Sequence, residues 1–329
     1  MYLSMRVFKL RTIRYQQAIR EGYAAAMRAD ASTFIVGEGI GRRGGCFVET
    51  LGLYQEFGPE RVIDMPISES AFVGLCAGAA ACGSRSIANL MFLDFTAVAM
   101  DQIVNQAAKF SYLSAGQYKM PFTITAMYGI AGSGGAHHTQ PLYPWFLYVP
   151  GIKVVLPATP YDVKGLLAGA IMDDNLVMVL HHRGLVNLKG QVPEEDYFLE
   201  LGKAEIVREG SDVTIVAAGI MRHVALQAAD QLSLSAEVID PKSLVPLDKE
   251  TICQSVEKTG RLLVVDEGYS FCGLGAELMA MIHERVSSRK HIAMKRIHTL
   301  PVPTPYSPGL EKAIVPNSQK VIEAVQEIM

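Results

Sequence analysis

The feature that most constrains this chain is an alternation. Short runs rich in Val, Ile and Phe take turns with Ala-rich stretches that carry helix signals. Thr33–Val36, Arg61–Ile63, Phe122–Thr125, Ile152–Leu156 and Leu176–Leu180 read as strands, and Asp101–Phe110 and Thr159–Met172 read as helices. The second helix opens with Thr159, Pro160 and Asp162, which supply a cap, a first-turn proline and a first-turn acid. Strands that alternate with helices pair in parallel, so the expected class is α/β with a doubly wound sheet.

Between Asn187 and Gly202 the pattern turns polar and irregular, and a second strand series follows at Val213–Ala217, Ala236–Asp240 and Arg261–Asp266. Helices are expected near 221–232 and 273–286. A chain of 329 residues suits two domains. The expected division is residues 1–188, a linker at 189–202, and a smaller α/β domain at 203–329. No tandem repeat is visible.

With 50% hydrophobic and 19% charged residues, the chain is apolar enough to bury surface against partner chains. A net charge of −3 provides no field for nucleic acid or an anionic membrane, so neither is expected as a partner. Five scattered cysteines without a C-x-x-C disfavour a disulfide framework or a zinc ribbon and suit a reducing cytoplasm. The longest uncharged apolar run, Ala71 to Gly83, is too short for a membrane span. Arg6, Lys9, Arg11 and Arg14 read as a short basic lead into the first helix.

Gly39, Gly41 and Gly44 spell G-x-G-x-x-G after a strand, with Asp64 about 20 residues on, the spacing of a dinucleotide-binding fingerprint. That fingerprint needs a helix to open at its last glycine, and Gly45, Cys46, Phe47 and Val48 are poor helix openers. A glycine-rich loop is the better reading. Glu69 precedes a small-residue run, where a poorly hydrated carboxyl can act as general acid/base, or it forms a capping pair with Ser68. Phe92 and Phe95 are either core or a platform for a heteroaromatic ring. Glycines 129, 132, 134 and 135 lead to His137 and His138, and His181 and His182 end a strand. Adjacent histidines on extended backbone point apart, so proton transfer suits them better than a four-histidine metal site.

Read together, residues 61–80 (RVIDMPISESAFVGLCAGAA), 91–117, 134–140 (GGAHHTQ), 150–167, 237–248 (EVIDPKSLVPLD), 258–268 and 273–278 (GLGAEL) resemble the β subunits of pyruvate, branched-chain and acetoin dehydrogenase E1 enzymes. The resemblance runs in register over nearly the whole chain. It implies a transketolase-like pyrimidine-binding domain followed by a transketolase C-terminal-like domain. It implies thiamine diphosphate as cofactor, with Glu69 bonding the pyrimidine nitrogen, Phe95 packing on that ring, and Ile67 and Met91 nearby. It makes His138 the histidine implicated in acyl transfer to lipoyl. No G-D-G motif occurs in the chain, so magnesium and the diphosphate are expected on an α subunit of an α2β2 heterotetramer. A potassium ion on main-chain oxygens of Ala170, Asp173 and Asn175 is a further implication. The expected acceptor is a lipoyl-bearing E2 acyltransferase or an acyl carrier protein.

Three positions depart from the family pattern: Asn89 replaces a usual glutamate, Thr125 an arginine and His181 a glutamate. Altered polar groups at the cofactor pocket would leave the donor open. The function expected is decarboxylation of a 2-oxo acid or cleavage of acetoin. The alternatives are two-carbon acyl or ketol transfer from a hydroxylated or phosphorylated donor, and a degenerate scaffold chain.

Overall fold

The computed structural model describes residues 9–287 and 291–329. In the first part, strands β1 (Leu10–Arg14), β2 (Phe34–Gly37), β3 (Val62–Asp64), β4 (Ser86–Phe92), β5 (Phe122–Tyr128), β6 (Ile152–Val155), β7 (Leu176–His182) and β8 (Lys189–Pro193) alternate with helices. The helices are α1 (Tyr15–Ala29), α2 (Leu53–Phe57), α3 (Glu69–Ala81), α4 (Ala108–Leu113), α5 (Pro144–Leu147) and α6 (Pro160–Met172). The second part has β9 (Glu205–Arg208), β10 (Val213–Ala217), β11 (Ala236–Asp240), β12 (Ser243–Val245), β13 (Arg261–Tyr269) and β14 (Ala293–Thr299). Its helices are α7 (Ile220–Ala229), α8 (Lys249–Thr259), α9 (Leu274–Ile282), α10 (Pro308–Ile314) and α11 (Ser318–Gln326).

The larger sheet runs β12-β6-β7-β5-β4-β2-β3 and is parallel except for β12. The smaller runs β14-β13-β10-β11-β9, parallel except for β9. Strands β5 and β7 are buried at every position, as strands covered on both faces must be, which is why they read as unbroken apolar runs. Helices α1 and α6 cover one face of the larger sheet through Tyr15, Ile19, Tyr23, Val163 and Leu167. Helix α3 covers the other through Phe72, Val73 and Cys76, in a core that continues into Val216, Ile239 and Leu262 of the second sheet. The two halves are therefore welded along one hydrophobic layer. Among the described residues no helix is long and apolar enough to cross a membrane.

Several elements differ from the sequence expectation. Strand β4 was not anticipated, because Ala88 and Asn89 interrupt its apolar run, yet it sits in the middle of the sheet. Strand β14 is half-buried along most of its length and has no apolar pattern to read. Asp101–Phe110 is no single helix: a 3₁₀ segment over Leu93–Ala99 passes into a π-helical turn over Asp101–Ala107 before α4.

The polar stretch after Asn187 begins with a strand, β8, which pairs antiparallel with β1. The basic lead is accordingly strand over Leu10–Arg14, and Arg6 lies outside the described residues. Its charges are matched by the Lys9–Glu194 and Arg11–Glu21 ion pairs. The buried ammonium of Lys164 fixes the end of β8 by donating to the carbonyls of Pro193 and Glu195 at 2.9 and 2.8 Å.

Candidate active site

Parallel strands deliver their carboxyl ends to one edge of a sheet, where ligands of α/β folds bind. At that edge lie Glu38 after β2, Glu69 after β3, Phe92 and Phe95 at the end of β4, the loop carrying His138 after β5, and His182 and Arg183 at the end of β7.

Glu69 is the first residue of α3 and is 9% exposed. Ser68 makes no side-chain cap bond, so the capping pair does not form. The carboxylate instead occupies a helix first turn, where the backbone dipoles favour negative charge. Among the described residues no hydrogen-bond donor reaches it. Facing it is Glu38, whose Oε1 is buried without a partner. Burial, and then the Glu69 charge, push the Glu38 carboxyl above its ordinary value. The Glu38 carboxyl, pushed up beside the Glu69 charge, favours its protonated form and a basic nitrogen that shares the proton.

The same sheet edge carries an aromatic cluster. Phe92 meets Phe95 edge-on at 5.6 Å, Phe47 at 5.6 Å and the His138 ring at 4.9 Å, and Phe95 meets His138 at 5.5 Å. Phe95 and Met91 are partly buried against the core. Ile67 is 82% exposed and does not pack with this cluster in the isolated chain, so its burial needs another surface.

The His138 loop is held from several sides. The Ile130 amide donates to Glu267 Oε1 at 2.7 Å, the Ser133 amide to Glu311 Oε2 at 2.8 Å, and Gln140 Nε2 to Asp94 Oδ1 at 2.8 Å. Burial raises the Asp94 carboxyl above its usual range, against the pull of the Gln140 bond. Glu267 and Glu311 belong to the second half, which therefore shapes this loop from outside the first.

The histidines divide. His182 Nδ1 accepts from the Gly184 amide at 3.0 Å, which assigns the ring proton to Nε2, 2.9 Å from Glu267 Oε1. His181 turns to the opposite face, edge-on to Tyr15 at 6.2 Å, with neither ring nitrogen partnered. Burial alone lowers its pKa to about 3. His137 is exposed and His138 half-buried. Among the described residues no group of three or more His, Cys, Asp or Glu converges as a metal site would require.

The glycine loop opens no helix at Gly44; the chain passes through turns to α2 at Leu53. Asp64, placed for a ribose in a dinucleotide fold, accepts the Gly41 amide at 2.8 Å. A Cβ at Gly41 would fall 2.4 Å from that carboxylate, so glycine there serves this contact.

The potassium positions Ala170, Asp173 and Asn175 lie at the end of α6 and in the turn that follows it. The Ala170 carbonyl accepts from Thr123 Oγ1 at 3.3 Å and from the Asp173 amide at 3.2 Å. The carbonyls of Ile171 and Asp173 accept from Arg85 Nη1 at 3.3 and 2.9 Å. Asn175 donates through its amide and its side chain to Asp173 Oδ1. Of the three oxygens implied for potassium, the Arg85 guanidinium reaches that of Asp173.

The three departures share the α1 face of the sheet, opposite α3. Asn89 Nδ2 donates to Tyr23 Oη at 3.2 Å, and Tyr23 and Thr125 hydroxyls lie 2.6 Å apart. This hydrogen-bonded set, with the buried Glu49 carboxyl on Asn89, stands beneath α1. Sequence reasoning missed Glu38, Arg183, Glu267 and Glu311. Position at a strand end is the signal for the first three, and nothing local marks Glu311.

The transketolase pyrimidine-binding domain matches residues 11–189, and the transketolase C-terminal domain matches residues 202–321. The chain is 40% identical to the Bacillus subtilis acetoin:2,6-dichlorophenolindophenol oxidoreductase subunit beta over 97% of its own length and 98% of that protein. It is 40% identical to the B. subtilis 2-oxoisovalerate dehydrogenase subunit beta, covering 95% of this chain and 98% of that one. To the pyruvate dehydrogenase E1 component subunit beta of Gracilaria tenuistipitata var. liui it is 41% identical, at 95% and 98% coverage. A solved structure titled split gene transketolase, inactive beta4 tetramer, superposes with a TM-score of 0.78 at 24% identity, over 96% of this chain and 98% of that one, and shows the shared fold. With both transketolase domains in order and near full-length identity to three E1 β subunits, the chain belongs to the E1 β-subunit family of thiamine-dependent 2-oxo acid and acetoin dehydrogenases.

Proposed function

We propose that this chain is the β component of a thiamine-diphosphate-dependent E1 that decarboxylates a 2-oxo acid, or cleaves acetoin, and passes the acyl group to lipoyl. It works only with an α subunit, in an α2β2 heterotetramer of the cytoplasm. The observation that carries this reading is the unpaired Glu69 carboxylate facing Glu38 at the strand edge that also carries the Phe92, Phe95 and His138 rings. The pyrimidine half of the cofactor would lie against that edge, where Phe95 is only partly buried.

In this reading Glu69 bonds the pyrimidine ring nitrogen and holds the proton that the relay needs. Phe95 supports the ring plane, with Met91 and Ile67 closing around it. His138, steadied edge-on by Phe92 and Phe95, moves a proton during transfer to the acceptor. When bound, the cofactor supplies the electron sink for breaking the bond at the substrate's carbonyl carbon. Magnesium and the diphosphate belong to the α subunit, because this chain carries no G-D-G motif. A potassium ion on the main-chain oxygens of Ala170, Asp173 and Asn175 belongs to the same reading, beside the Arg85 guanidinium at the Asp173 carbonyl. The acceptor is a lipoyl-bearing E2, or an acyl carrier protein if the product enters biosynthesis. The scaffold alternative is disfavoured by physics: two facing carboxyls without donors cost stability unless a ligand uses them.

The test is copurification with an E1 α subunit, then calorimetric titration with thiamine diphosphate and magnesium. Tight binding by the pair and weak binding by the chain alone is expected. Glu69→Gln in the pair should keep assembly and lose roughly 10²–10⁴ in turnover, the usual worth of a positioned proton-transfer group. Turnover near normal in cofactor-loaded Glu69→Gln would refute the relay.

A further inference from the structure

We infer that Arg183 selects the donor substrate, by binding an anionic group remote from the carbonyl that reacts. The inference rests on the site reading proposed above and adds a substrate class to it. Arg183 follows β7 at the carboxyl edge, and its guanidinium carbon stands 5.7 Å over the Phe92 ring, the same ring that meets His138 at 4.9 Å. Its shortest hydrogen bond is a long one, from Nη2 to the Gly132 carbonyl at 3.5 Å. Among the described residues no carboxylate lies within ion-pairing distance of it. The carboxylates that hold the loop bond elsewhere, each through one oxygen: Glu267 Oε1 with Ile130 and His182, Glu311 Oε2 with Ser133, Asp94 Oδ1 with Gln140. A guanidinium has five N–H donors in a rigid plane, so most of this fork is unspent while its face is held on an aromatic ring.

The glycines of the loop make room for it. A Cβ at Gly134 would fall 2.2 Å from Arg183 Nη1 and 3.4 Å from His138 Cβ, so the guanidinium and the histidine are separated by little more than a missing side chain. A Cβ at Gly132 would lie 3.4 Å from Arg183 Nε. The departures Asn89 and Thr125 bond to the Tyr23 hydroxyl, and Asn89 also to the buried Glu49 carboxyl.

The position of the charge decides what it binds. The carboxylate of a 2-oxo acid leaves as CO2, so a guanidinium paired with it would stabilise the starting state more than the transition state. An anion that persists through the reaction gains binding without that cost. The fitting donors therefore carry a second negative group, a distal carboxylate or a phosphate ester, both of which match the fork in two-point fashion.

The test uses the α-paired enzyme loaded with cofactor. Donor-dependent reduction of an artificial dye is measured with three 2-oxo acids of similar length: one with an apolar tail, one with a distal carboxylate, one with a phosphate ester. Arg183→Met should lower the ratio of kcat/KM for either doubly charged donor over the apolar one by tenfold or more, through KM, and Arg183→Lys should restore part of it. Whichever charged donor shows the larger ratio in the wild type identifies the source of the anion. In parallel, calorimetry with succinate and with inorganic phosphate should show binding that Arg183→Met weakens tenfold. An unchanged donor ratio together with unchanged anion binding would overturn the inference and leave Arg183 as a prop for the Gly132 turn. If no 2-oxo acid is turned over while the anions still bind through Arg183, the E1 reading falls and the anion site stands.

Discussion

His181 offers a sharp test of how the sheet interior treats charge. The ring is 2% exposed, has no partner on either nitrogen, and holds its pKa near 3 against an ordinary 6.5. The sign follows from linkage. Below pH 6.5 the unfolded chain takes up a proton on this ring, while the native chain stays neutral until about pH 3. The unfolded state thus binds more protons, and native stability falls as pH drops through this window. The full shift corresponds to about 5 kcal/mol, with a slope of about 1.4 kcal/mol per pH unit between the two values. His181→Leu removes the titrating group while filling a similar space. Urea unfolding of wild type and variant, followed by fluorescence and circular dichroism from pH 8 to pH 5, gives two curves whose difference cancels every other titration. The wild type should lose about 2 kcal/mol more than the variant over that range. Parallel curves would show that the buried ring finds a proton or a partner, and the argument from unpartnered burial would fail.

Two further outcomes are expected. Lys164→Met should destabilise the chain by about 3 kcal/mol and loosen the segment after β8, because two carbonyls lose a charged donor worth roughly 1–3 kcal/mol each; hydrogen exchange at residues 189–196 would read the loosening, and an unchanged pattern would count against it. Gly129→Ala puts a side chain at φ +95°, with its Cβ 2.1 Å from the His182 ring. It should cost on the order of 3 kcal/mol or prevent folding, by backbone strain and overpacking together, and a thermal midpoint equal to wild type would contradict that.

Much of the architecture was legible where one physical rule acted alone. Strands buried on both faces announce themselves, as β5 and β7 did, and so does the capped start of α6, where Thr159 accepts the Asp162 amide. Strand β4 was hidden because Asn89 satisfies its side chain through Tyr23, 66 residues away, a partner no local window contains. Strands β1 and β8 were hidden for a similar reason: their pairing joins residues about 180 positions apart. For the site, Glu69, Phe95 and His138 could be named from their motifs and stand at one sheet edge, while Ile67 is exposed and, of the oxygens named for potassium, that of Asp173 accepts from Arg85. Glu38 and Arg183 carry no motif, and their interest arises only from what the fold sets opposite them.

The three residues of β12 come from the second half of the sequence but hydrogen-bond as the outermost strand on β6 of the first. This has a consequence for anyone recombining such chains. A chimera spliced between the halves would match the two parents across a backbone seam as well as across side chains. If residues 243–245 and β6 came from different ancestors, the graft would have to reproduce both the register and the bulge between Ser243 and Val245. Functional hybrids should therefore cluster among those whose crossover points keep β6 and β12 of one parentage, an inheritance rule that a map of the linear sequence would never suggest.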